Sequence, residues 1–104
     1  MSKKDSLKEL VNILVNSICH KIGSIVNNKA DYAKKYEREA ENFLNDAKEI
    51  AIGENWNQYD KIEIREELKK KVKAELERRI FLDNKKFSLM DEETEKALKE
   101  LNLA

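Results

Sequence analysis

Proline is absent from the 104 residues, and glycine occurs only twice, at Gly23 and Gly53. Two isolated glycines cannot form a phosphate-cradling loop or a dinucleotide fingerprint, both of which need several glycines close together. A single cysteine, Cys19, excludes an internal disulfide and a thiolate zinc site, and it suits a reduced, cytoplasmic setting. A single histidine, His20, leaves no Ser/His/Asp or Cys/His arrangement with credible partners. Net charge is missing as well, because 21 basic residues balance 21 acidic ones. So is any long apolar run. The most apolar stretch, 7–26, is broken by Glu9, Asn12, Asn16, Ser17, His20 and Lys21, which fits neither a membrane span nor a signal-peptide core. No membrane partner is expected.

What is present is enough to fold. Leu, Ile, Val and Phe make up 27 of the 104 residues, above the level of roughly 20% that goes with disorder. The length suits one domain, 1–104. Helical periodicity then predicts an all-α fold: a small bundle of three main helices near 6–27, 31–52 and 61–81, and a short fourth near 91–102.

The first helix has a capping-box spacing at Ser6 and Glu9 and a stop at Asn27-Asn28. Its apolar residues, from Leu7 to Val26, cover about half the circumference, which places it centrally against at least two others. The second helix carries a heptad seam, Ala33, Tyr36, Ala40, Phe43, Ala47 and Ile50, and ends at Gly53. Alanine at every seventh residue lets a partner helix come close. The third opens at Asp60 and Glu63 and shows a narrow row, Ile64, Leu68, Val72, Leu76 and Ile80, invaded by Arg65, Lys69 and Arg79, so it is expected at the periphery. Residues 80–89 read either as a connector or as a small hairpin.

Charge comes in blocks: net +3 over 1–30, −4 over 31–63, +4 over 64–86 and −3 over 87–104. Consecutive helices of opposite sign suit neighbours packed together, although each exposed pair contributes only about 0–1 kcal/mol.

No catalytic, cofactor-binding or metal-binding residues are assigned, and the chain is not expected to be an enzyme. Cys19 reads as a part-buried thiol and His20 as a solvated imidazole. Glu37 and Glu41, one turn apart, suggest a magnesium-dependent all-helical nucleotide hydrolase as a remote alternative. They fall outside the apolar seam, where a metal site would need them to converge. The basic residues Lys69, Lys70, Lys73, Arg78, Arg79, Lys85 and Lys86 support a second alternative, a nucleic-acid-binding accessory protein, but glutamates are interleaved among them. The preferred expectation is a non-catalytic protein–protein interaction module that binds another protein or itself as a homo-oligomer such as a dimer. Its contact residues would be Ala33, Tyr36, Ala40, Phe43 and Ala47 of the seam, with Trp56 and Tyr59 of the polar connector as anchors.

Overall fold

A computed structural model describes residues 2–27 and 29–104. The described residues form four helices, α1 (Lys3–Val26), α2 (Ala30–Ile52), α3 (Gln58–Arg78) and α4 (Lys86–Glu100), and no strand. Helix α1 is the hub: α2, α3 and α4 all pack on it, and α3 also packs on α4. Leu10, Val11, Leu14, Ile18, Cys19 and Ile22 are accordingly buried. The wide apolar arc of α1 is therefore covered within the chain from Leu7 to Ile22, and Ile25 beyond it is 49% exposed.

Three helix starts differ from the sequence expectation, each for a local reason. Helix α1 begins at Lys3 because Ser2 is the cap, its Oγ accepting from the Asp5 N–H at 3.1 Å. Ser6 is instead buried in the first turn and donates to Glu54. Helix α3 begins at Gln58 through a capping box of Asn57 and Asp60, one turn ahead of the expected pair. The Lys3 ammonium, 2.5 Å from Asp60, and the Asn57 N–H hold the Asp60 carboxyl below its usual range. Helix α4 begins at Lys86. Asp83 starts it by accepting the Lys85 N–H on Oδ1, and the Lys86 N–H bonds to the Asp83 carbonyl at 3.0 Å. The hairpin reading of 80–89 is thereby replaced by a tight turn between helices. At the end of α1 the cap is Asn27, whose backbone N–H bonds to the Gly23 carbonyl; Asn28 lies outside the described residues.

Helix α3 is not peripheral. Ile64, Leu68, Val72 and Leu76 are all fully buried, because α1 covers one side of the row and α4 the other. The row stops one member early: α3 ends at Arg78, and Ile80 stands in solvent. After α4 the chain closes with Asn102 in the left-handed region (φ 57°). Leu103 N–H bonds to the Leu98 carbonyl at 2.8 Å and Asn102 N–H to the Lys99 carbonyl at 3.1 Å. This is a Schellman motif, and its apolar contact is between buried Leu98 and buried Leu103.

The alanine seam of α2 lies on α1. Ala40 and Ala47 are buried, and Ser17 Oγ donates to the Ala40 carbonyl at 2.7 Å, a bond that requires close backbones. Gly23 of α1 faces the Tyr36 ring, which a β-carbon there would approach to 3.2 Å. Since Ala47 is wholly inaccessible, Ala47→Leu should lower the unfolding free energy by about 1–3 kcal/mol through overpacking. Urea unfolding of the two proteins measures this; an unchanged midpoint would mean the helices are not in close contact there.

Candidate interaction surfaces

The position of the seam changes which residues are offered outward. Ala40 and Ala47 serve the α1–α2 contact, and Tyr36 and Phe43 clasp His20, whose ring lies edge-on to Tyr36 (5.7 Å) and tilted against Phe43 (5.3 Å). These residues, with the half-buried Ala33, belong to the packing of the chain itself; they do not form a free face for a second α2. Heptad spacing specifies a close helix partner without saying whether that partner belongs to the same chain. His20 is likewise not solvated. Its side chain is 15% exposed, its Nδ1 lies 2.7 Å from the Asn16 carbonyl and its Nε2 3.0 Å from Glu39.

The two connector aromatics part company. Trp56 is half-buried against the core, its indole N–H donating to the Ala51 carbonyl at 2.9 Å and the Lys3 ammonium lying over its ring. Tyr59 is 84% exposed, one turn from Ile62 on α3. Only Tyr59 remains available as an anchor.

The basic residues do not form one face. Lys69 pairs with Glu95 at 3.4 Å, beside an Arg65–Glu95 pair, and Arg79 Nε pairs with Glu75 at 3.1 Å. Lys86 is buried, and its ammonium donates to the Arg79 carbonyl at 2.7 Å. Lys70, Lys73, Arg78 and Lys85 reach solvent, as does Lys69 beside its Glu95 partner. For α3 this arrangement is a C-terminal cap, in which a cation meets the negative end of the helix dipole.

That cap shapes an apolar feature of the surface. Between α3 and α4 the chain turns through Ile80 and Phe81, which are 86% and 69% exposed. The turn is held on both sides. Leu82 is buried and its N–H bonds to the Arg79 carbonyl at 3.1 Å, while Lys86 reaches the same carbonyl from the start of α4. Ile80 and Phe81 also border a shallow cleft with Val26 and Lys29. Two large apolar side chains are thus presented on a braced apex. Lys86→Met removes the donor and leaves the Arg79 carbonyl without that bond. It should cost about 1–3 kcal/mol and speed proteolysis within 79–85; unchanged stability and cleavage would show that the brace is idle.

A second feature is a groove over α1 between α2 and α4, with a volume of about 340 Å³. Its floor is Ile18, Ala40, Leu44 and Ala97, and its walls carry Glu37, Glu41, Glu93, Glu100, Lys21 and Lys96. Glu37 and Glu41 therefore border a concave site and do not simply face away from the bundle. Lys21 lies 3.9 Å from Glu37, and Lys96 lies 3.2 Å from the buried Glu93. Among the described residues no group of three or more His, Cys, Asp or Glu is placed to hold a metal ion. No helix among the described residues is long and apolar enough to cross a membrane.

Cys19 lies inside the core, where burial pushes its thiol from an ordinary 9.0 up to about 12. The thiolate is the reactive form, so a thiol reagent at neutral pH should leave the native protein unmodified and label it only on unfolding. As pH rises above 9 the unfolded thiol ionises while the native one does not, so this contribution to stability falls. The stability difference between wild type and Cys19→Ala should narrow over that range; rapid native labelling, or a constant difference, would contradict the burial.

The fold and its surfaces define an all-helical bundle with an apolar apex and an acid-walled groove. No family model, curated protein or solved structure matches the chain.

Proposed function

We propose that the chain is a non-catalytic helical module, acting in the cytoplasm, that binds another protein through the Ile80–Phe81 apex. The observation that carries this reading is a pair of large, exposed apolar side chains on a turn braced by Leu82 and Lys86. Such side chains expose apolar surface to water, and a rigid mount lowers the ordering entropy lost on binding. Aromatic anchors of this kind dominate the energetics of protein interfaces. The cytoplasmic setting is supported by a lone thiol held in the core.

Nucleic-acid binding through α3 is the weaker reading, because Lys69, Arg79 and Lys86 already serve partners within the chain. Affinity capture from the source cell with wild type and with Ile80→Ser/Phe81→Ser separates the two. The expected result is a nuclease-resistant protein partner retained by wild type and reduced about tenfold or more by the double variant. Capture of nucleic acid alone, sedimentation with anionic vesicles alone, or equal capture by both proteins would overturn the reading.

A further inference from the structure

The two surface features are opposite in charge and alike in apolar character. The groove runs between α2 and α4, which belong to the two acidic blocks of the chain. Four carboxylates, Glu37, Glu41, Glu93 and Glu100, stand over its apolar floor against the ammonium groups of Lys21 and Lys96 and that of Lys48, 3.8 Å from Glu100 at the edge. The apex belongs to a basic block. From Glu77 to Lys86 four basic residues stand against two acidic ones. Arg79 is paired with Glu75 and Lys86 is buried as the cap. The outward cations are therefore Lys85 and Arg78, whose side chain is 81% exposed and lies 3.7 Å from Glu75. Asp83, one of those acids, directs Oδ1 onto the backbone N–H of Lys85.

Size agrees with charge. An apolar cavity of about 150 Å³ already holds a benzene ring, so a groove of about 340 Å³ has room for the Phe81 ring and more. We propose that this groove takes the Ile80–Phe81 apex of a second copy of the chain, with Arg78 and Lys85 of that copy meeting the carboxylate walls. The proposal rests on the reading of the apex as a protein anchor and names its partner. Apex and groove are different surfaces, so the contact is heterologous and every copy offers one of each. The charges direct encounter and register, while the apolar side chains hold the complex.

The test is analytical ultracentrifugation of the intact chain over a concentration series, with circular dichroism to verify that each variant remains helical. Wild type should self-associate, and more weakly when salt rises from about 50 to about 500 mM. Ile80→Ser/Phe81→Ser and Glu37→Lys/Glu41→Lys change exposed residues at opposite ends of the contact. Each should weaken association about tenfold or more when alone. Mixed together, the two variants should form a heterodimer, because one keeps its groove and the other its apex. A wild type that stays monomeric at millimolar concentration overturns the proposal, as does association that neither variant weakens or that mixing does not restore. If wild type is monomeric yet the apex variant still loses its captured cellular partner, self-docking falls and the anchor reading stands. If capture is also unchanged, both fall.

Discussion

The close seating of α2 on α1 is the contact on which the rest of the arrangement depends. Helix α1 is apolar over too much of its surface for any single neighbour to cover. One side is closed by α2, which alanines at 40 and 47 and the Ser17–Ala40 bond bring in tightly. That leaves the other side to α3 and α4, which must then also pack on each other. The row Ile64, Leu68, Val72 and Leu76 is narrow because it fills the wedge between α1 and α4. A narrow stripe can be completely buried if two partners flank it.

Charge accompanies this packing without deciding it: the oppositely charged pairs α1–α2 and α3–α4 close up, and so do the two basic helices α1 and α3. The basic α1 region carries Lys21 and His20 against Glu37 and Glu39 of the acidic α2 region. The basic α3 carries Arg65 and Lys69 against Glu95 of the acidic α4. These pairs are partly exposed and individually weak. Their arrangement matters more than their strength. It leaves the two acidic helices facing each other across the groove, joined at its edge by Lys48 and Glu100 at 3.8 Å. Like charge thus lines both walls of that gap.

Much of the fold was legible in the sequence. The helical class, the central place of α1 and the stop near Gly53 follow from periodicity and composition. The alternating charge blocks agree with the α1–α2 and α3–α4 contacts, but they also imply an α2–α3 packing that does not form and say nothing of α1–α3, two basic helices that pack together. Helix boundaries were less so, because several residues could serve as caps. Ser2 and Ser6 are both competent N-caps, as are Asn57 and Asp60, and the pattern cannot say which one the tertiary structure leaves free. Ser6 is drawn into the interface with Glu54, so Ser2 caps. Ownership of the alanine seam was hidden for a related reason. Spacing reports how near a partner comes, and only the length of the connector and the shape of α1 settle that the partner is intramolecular.

The candidate surfaces were the least legible part, and the cause is the same small segment. In the four-residue apolar step of α3, Ile80 reads as the next core position. It leaves the core because α3 stops at Arg78, where the Lys86 ammonium, eight residues on, and the Leu82 N–H both take the Arg79 carbonyl. A lysine in a basic run looks like a phosphate ligand, yet here its ammonium is buried as a helix cap. One side chain thus turns an expected core residue into an exposed one and removes a cation from the nucleic-acid face. Once the turn is fixed in this way, burial of Leu82 directs Ile80 and Phe81 outward, since three consecutive apolar residues in a tight turn cannot all face the core. The apex is therefore a consequence of how α3 is terminated, and the bonds that end the helix also hold the turn to both helices.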